Sequence, residues 1–441
     1  MKVLVFTRHT PLPMDDGAGN YIFDILAFLR EKGAEVDVLW FEPPAHLTRK
    51  GWHVIPARIS KAFNLHLPGG LELGSWRLFP AELYLPWKAR TLNRIKVLLK
   101  KLGLFSLLRR KPAASVNGEE PQFSGDPSRN WMALPTGTEI ALARDMVERI
   151  KPDIVIANFC WMNELFGCLS PNGVRRISLT VDVAHHRAAM LARMAGPDAR
   201  ECLTEQEEKR LLRMADLIVA ISEADADVFQ SMLPDRAIVV TPKAVVTERL
   251  TGPVVPGRLL FVGSHNQPNC EGLTWFLKTV WPLLLQAQPS ARLQVCGSIG
   301  EFFTENYPQV VFSGRVQDLR DAYAEAEVVI VPLLNGSGMK IKLVEACSFG
   351  KACVSTSVGL QGLSFLTDAT LCADDAPGFA GAICRLLGDP ASRRQLETAS
   401  LFAAETHLTR HKAYDALWQW MASPVPLERR ETRPATEATA A

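Results

Sequence analysis

The chain alternates between two hydrophobic rhythms. Short runs dominated by apolar residues, many of them Val and Ile, occupy residues 3–7, 35–41, 153–158, 176–181, 217–221, 237–240, 259–262, 293–296, 311–313, 328–334 and 352–356. Runs of this length are expected of strands covered on both faces, as in parallel sheets. Between them, apolar positions recur at helical spacing over 21–32, 138–150, 201–214, 339–349, 378–387, 390–402 and 412–421, and Ser222 stands where a helix N-cap belongs. Strand and helix taking turns along the chain predict an α/β fold with parallel sheets.

The rhythm breaks twice. Residues 251–257 hold two prolines and read as a linker. At 441 residues the chain is long enough for two domains, each with its own core. The linker sets a first domain at 1–245 and a second at 258–405, followed by a last helix within 406–422. Residues 423–441 carry too little apolar surface to order. The second break is an insertion at about 45–130. Within it, residues 84–111 contain nine Lys or Arg and no Asp or Glu, interleaved with Leu92, Ile95, Leu98, Leu99, Leu102 and Phe105. Such a basic amphipathic segment suits an anionic membrane surface; a solvated basic helix packed on its own domain has the same pattern. Residues 112–129 are polar and read as a loop.

Net charge is only +2, and no nucleic-acid-binding motif is present, so nucleic acid is not expected as a partner. The nine cysteines never form CxxC, and Cys296, Cys347 and Cys353 lie inside apolar runs, as expected of buried thiols in a reducing cytoplasm. No apolar run approaches the ~20 residues needed to span a bilayer. Met1-Lys2 leads straight into a strand without a cleavable signal. The expected location is the cytoplasm, peripherally at the inner face of the membrane if 84–111 binds there.

Candidate chemistry concentrates where strands end. Residues 328–334 run into Asn335-Gly336-Ser337-Gly338, then Met339 opens a helix that Gly350 closes. A glycine turn between strand and helix aims free N–H groups and the positive helix end at one spot, which suits a phosphate. Lys340 and Lys342 add charge in the first turn. Glu345 lies roughly 9 Å further along the helix axis, about the distance from a diphosphate to the ribose behind it. An ordinary βαβ turn with a solvated glutamate shares this pattern. Near the N-terminus, Asp15-Asp16-Gly17-Ala18-Gly19-Asn20 reads as a second glycine turn before a helix, but the turn is long and lacks the third glycine of a dinucleotide fingerprint. Asp182, His185, His186 and Arg187 follow a strand, at the sheet end where ligands bind. Asp225 and Asp227 form a DxD string on a predicted helix, where they diverge by about 200° and are rejected as a metal site.

The stretches 328–362, 261–276 (FVGSHNQPNCEGLTWF) and 312–332 (FSGRVQDLRDAYAEAEVVIVP) resemble the family 4 glycosyltransferases, and much of the first half does so more weakly. The resemblance implies the GT-B fold of two facing Rossmann-like domains. It implies nucleotide-sugar contacts at Gly263, Ser264, Arg315, Val316, Gly338, Met339, Lys340 and Glu345, with Glu345 on the ribose. The family's first glutamate falls on Ser337, a departure at a position that contacts the sugar. Lys340 substitutes for the Arg and Lys that many members carry near 263–266. Gly17, Gly19 and Asn20 would touch the diphosphate or the acceptor. His185 matches the cleft histidine, with His186 one residue away as the alternative.

The expected activity is transfer of a sugar from a nucleotide diphosphate sugar to a hydroxyl of a glycan or lipid-linked acceptor, for cell-surface glycan or glycolipid synthesis. Lys340 and the helix end would stabilise the leaving diphosphate, so neither cofactor nor metal is expected, and the resemblance implies retention. A GT-B epimerase or phosphorylase, or a non-catalytic glycan- or nucleotide-binding scaffold, are the rivals.

Overall fold

Two parallel sheets organise the described chain, each sandwiched between helices. The computed structural model describes residues 1–9, 17–41, 63–67, 71–73, 76–78, 133–170, 173–195, 203–316, 318–336 and 338–424. The basic segment at 84–111 therefore lies outside the described residues, as do Ser337 and 425–441.

The first sheet is built from β1 (Lys2–Thr7), β2 (Glu35–Trp40), β3 (Asn64–His66), β6 (Ile154–Asn158), β7 (Arg175–Leu179), β8 (Leu217–Ala220) and β9 (Ala237–Val240), in the order β3-β2-β1-β6-β7-β8-β9. A separate antiparallel hairpin pairs β4 (Leu71–Leu73) with β5 (Trp76–Leu78). The second sheet holds β10 (Arg258–Val262), β11 (Arg292–Cys296), β12 (Val310–Gly314), β13 (Val328–Val331), β14 (Cys353–Ser355) and β15 (Thr370–Cys372), ordered β12-β11-β10-β13-β14-β15. All pairings within these two sheets are parallel. Strand order reverses beside β1 and β6 in the first sheet and beside β10 and β13 in the second. Loops diverge at such switch points and leave a crevice at the strand ends.

β6, β8 and β13 are buried at every position, which is why their sequences are apolar runs, interrupted only by Asn158 at the end of β6. One core joins the sheets: it extends from Tyr21, Ile25 and Phe28 through Tyr323, Leu343 and Val344 to Tyr414 and Leu417. The helix Arg410–Ala422 completes it against the helix Gly17–Glu31. There Arg410 pairs with Asp24 and Glu31, the rings of Phe28 and Tyr414 meet edge to face at 5.5 Å, and the Tyr414 hydroxyl accepts from Ala244 N at 3.1 Å.

Two local expectations need correction. Gly17, Gly19 and Asn20 do not form a turn ahead of the helix but its first turns, since the helix runs Gly17–Glu31. Tyr21, Ile22, Ile25, Leu26, Phe28 and Leu29 are all fully buried, and that burial outweighs the cost of about 1 kcal/mol for a glycine in a helix. The helix expected from Met339 begins at Ile341 instead, because Gly338 takes a left-handed conformation (φ +69°) and Lys340 is still outside helical geometry. A helical run extends from Gln267 to Ala287 and includes Pro282. The chain widens into a π turn at Phe276–Val280 just before that proline, which accommodates its missing N–H.

Candidate functional site

In the second domain the crevice lies between the loops that follow β10 and β13. Gly272 allows these elements to meet: a Cβ there would stand 2.4 Å from the carbonyl oxygen of Pro332, so no other residue fits without moving backbone. Gly263 is buried beneath the first loop and Ser264 is exposed on it. Asn266 caps the helix Gln267–Trp275 by accepting from Asn269 N at 3.0 Å.

The second loop turns back on itself at Gly336 (φ +131°) and Gly338. Lys340, only 6% exposed, closes this turn. Its ammonium donates to the carbonyls of Gly338 at 2.7 Å and Gly336 at 3.3 Å. Burial pulls its pKa down to about 8, against the attraction of Asp225 and Asp182. Met339 beside it is buried. Lys342 does not join Lys340 at the loop. Its ammonium donates to Asn269 Oδ1 and lies 4.6 Å from the centre of the Phe261 ring, and burial together with Lys340 holds its pKa at about 7. Glu345, more than a turn deeper, is half-buried and accepts from the Tyr323 hydroxyl at 2.8 Å. Burial raises its pKa, opposed by that hydrogen bond and by Lys243. Arg315 and Val316 leave the end of β12, Arg315 exposed and Val316 half-buried.

The opposite wall belongs to the first domain. Past the end of β7 the chain passes Asp182 and enters the helix Ala184–Ala195. Glu208, fully buried on the helix Glu205–Leu212, caps that helix from outside. It accepts from Ala184 N at 2.9 Å, His185 N at 2.8 Å and His185 Nδ1 at 2.6 Å. The histidine therefore carries its proton on Nδ1, and the hydrogen bond to Glu208 raises its pKa. The rings of His185 and His186 meet edge to face at 4.4 Å. Both line an open cavity of about 350 Å³ together with Glu205, Asp227 and Ser231. His186 is exposed, its pKa lowered by partial burial and by His185.

Asp182 and Asp225 complete this wall. Asp182 is 2% exposed; it ion-pairs with Arg187, and burial still raises its pKa. Asp225 accepts from the Ser222 hydroxyl at 2.8 Å, and burial lifts its pKa to about 6. Asp227 instead lines the histidine cavity, so the DxD pair is split between two surroundings. The walls touch where Gly338 meets Asp182: a Cβ on Gly338 would lie 3.4 Å from Val181 O and 3.7 Å from Asp182 Cβ. Further along, Ser364 donates to Glu223 at 2.8 Å.

The structure thus gathers Gly338, Met339, Lys340 and Glu345 on one loop and helix, with Gly263 and Ser264 on the neighbouring loop. It places His185 across the cleft on another domain. Sequence reasoning placed Asp182 at a strand end and weighed Asp225 only as a metal ligand; it missed Glu208 and Tyr323, which no local signal marks, since each acts on a residue 22 or 23 positions away.

Comparison with known proteins bears on the fold and on residues 256–389. Residues 256–389 match the family model described as glycosyl transferases group 1. An uncharacterized 44.6 kDa protein in the cps region of Klebsiella pneumoniae is 30% identical over 116 residues, which are 24% of this chain and 30% of that protein. The match therefore spans under a third of that relative. The sucrose-phosphate synthase of Thermosynechococcus elongatus superposes with a TM-score of 0.60 at 14% identity, over 95% of this chain and 98% of that one. The E. coli trehalose-6-phosphate protein bound with UDP-2-fluoro glucose gives 0.60 at 13% identity, over 97% and 100%. Residues 256–389 are therefore similar to the group 1 glycosyltransferases, and the chain's two parallel-sheet domains have the GT-B architecture.

Proposed function

We propose that the protein is a family 4 enzyme that moves a sugar, with retention at the anomeric carbon, from a nucleoside diphosphate sugar to a hydroxyl of a glycan or lipid-linked acceptor. The observation that carries this reading is Lys340, a nine-tenths buried ammonium fixed by a glycine loop at the start of a helix and facing the cleft. As the glycosidic bond breaks, negative charge grows on the departing diphosphate. A preorganised cation and the positive helix end stabilise that charge more than they stabilise the bound donor. Glu345, oriented by Tyr323, is placed to accept from ribose hydroxyls. The acceptor approaches from the first domain, where His185 lines a cavity. This scheme draws its charge from the protein and needs no metal.

The cps-region relative supports a role in cell-surface glycan or glycolipid synthesis, and the neighbour holding UDP-2-fluoro glucose makes UDP-sugars the first donors to try. Retention rests on the family resemblance. Among the described residues no helix is long and apolar enough to cross a membrane; approach to a lipid-linked acceptor is assigned to the basic segment at 84–111 from its sequence.

A thermal-shift screen against UDP, GDP and ADP and their sugars tests the reading. A ligand present at a hundred times its Kd adds about 2.7 kcal/mol of stability. No shift with any nucleotide sinks the proposal. Sugar-nucleotide turnover without an acceptor points to an epimerase, dependence on inorganic phosphate to a phosphorylase, and binding without transfer across an acceptor panel to a scaffold.

A further inference from the structure

Between the two walls lie opposite charges that do not touch. Lys340 spends its hydrogen bonds on the carbonyls of Gly336 and Gly338. Asp182 and Asp225 are close enough for it to feel their charge, yet among the described residues neither forms an ion pair with it. Asp225 is engaged by Ser222. Asp182 gives one oxygen to the ion pair with Arg187, while its Oδ1 is buried and has no hydrogen-bond partner among the described residues. A buried carboxylate oxygen left unpaired is costly, and native structures retain such groups where something else satisfies them. Asp182 lies against Gly338, on the loop that carries Lys340. That loop has no Asp or Glu of its own between Pro332 and Lys340.

We propose that Asp182 is the residue that recognises the transferred sugar, its Oδ1 accepting a hydrogen bond from a sugar hydroxyl next to the diphosphate that Lys340 holds. The inference rests on the donor reading above and deepens it: the nucleotide is held by the second domain alone, whereas the sugar is held from the first. Neutral hydroxyl groups fit this gap between a cation and an acceptor-only carboxylate, since each can donate to one and accept from the other. A second phosphate would face Asp182 with like charge. The sugar then bridges the two walls, and donor discrimination depends on a residue outside the nucleotide-binding domain.

The test is calorimetric titration of the whole protein with two matched pairs, UDP against UDP-glucose and GDP against GDP-mannose, using whichever pair binds. In Asp182→Asn, which keeps the side chain's shape, and in Asp182→Ser, which removes the carboxylate, affinity for the bare diphosphate should stay within about twofold. Affinity for the sugar nucleotide should fall roughly ten- to a hundredfold, the range for a hydrogen bond to a charged group. The retained diphosphate affinity also reports that the variants are folded. Equal losses for both ligands in both variants, or no loss for either, overturn the assignment: Asp182 then only shapes the cleft. If the unaltered protein binds none of the four ligands, the donor reading itself has failed and the proposal falls with it.

Discussion

The two walls of the cleft hold their charged groups by opposite means. In the second domain, Lys340 is fixed by carbonyls two and four residues before it on its own loop. In the first domain, His185 is fixed by Glu208, 23 residues further along the chain and on a different helix. The first arrangement is a closed local turn, formed once Gly336 and Gly338 adopt positive φ. The second exists only after two helices have packed. The difference teaches that the turn holding Lys340 is a local unit, whereas the other wall depends on tertiary packing and is the one that substitutions at a distance will disturb.

The largest expected effect comes from breaking the local wall. In the proposed mechanism Lys340→Ala removes the cation nearest the departing diphosphate, and loss of one such preorganised donor costs about a hundred- to a thousandfold in kcat. Diphosphate affinity should fall about ten- to a hundredfold. Steady-state kinetics and calorimetry on the same preparation check both numbers; a variant that transfers at the normal rate would remove Lys340 from the mechanism. The same residue predicts a pH limb. Its folded pKa is lowered to about 8, so the charged form is lost as pH rises through that value. The profile of kcat/KM, which reports the free enzyme, should decline about tenfold per unit above pH 8, and Lys340→Ala should abolish that limb.

Breaking the packed wall should cost stability first. Glu208→Ala leaves Ala184 N, His185 N and His185 Nδ1 without their acceptor in a buried place. Such unpaired donors, together with a lost helix cap, should destabilise the protein by about 2–4 kcal/mol, or several degrees in Tm. Calorimetric melting measures this. Nuclear magnetic resonance titration should show His185 ionising at lower pH in the variant, because the hydrogen bond that raises it is gone. Diphosphate affinity should remain within about twofold, since the nucleotide wall is local. A parallel drop in that affinity would show that the two walls are not independent.

The same division explains what the sequence discloses. β13, the glycine loop and Glu345 can be read from neighbouring residues, because apolar runs, positive-φ glycines and helix rise are all short-range properties. The Tyr323–Glu345 hydrogen bond spans 22 positions, and Asp182 faces Lys340 from another domain; no periodicity records either contact. Gly17-Ala18-Gly19-Asn20 looks like a turn because glycine favours one, yet the buried face from Tyr21 to Leu29 draws it into the helix. His185 and His186 are indistinguishable as letters. Only the position of Glu208 separates a caged imidazole from an exposed one.

The smallest effect on transfer is expected at the neighbour of the critical lysine. Lys342 reads in sequence as a second phosphate ligand, but its ammonium is turned under β10 onto Asn269 and Phe261. Methionine fills a similar volume. Near pH 7.5 the wild-type amine, with its pKa at about 7, is mostly neutral while the unfolded chain keeps its proton, so on linkage alone Lys342→Met should raise stability, by at most about 1.4 kcal/mol for each pH unit below the ordinary lysine value. The pH dependence carries the sharper prediction. Between pH 7 and the ordinary lysine value the unfolded chain binds this proton and the folded chain does not, so the wild type gains stability as pH rises. The variant lacks that gain, whose slope is at most about 1.4 kcal/mol per pH unit. Its relative stability should therefore be greatest below pH 7 and diminish above it. The alkaline limb of kcat/KM should stay where Lys340 sets it, because Lys342 has already lost its charge by pH 8. Melting curves from pH 6 to 9 and a rate profile over the same range decide the matter. A limb that moves with Lys342→Met, or a fall in diphosphate affinity, would mean that the second lysine also reaches the ligand and that the nucleotide wall has two cations rather than one.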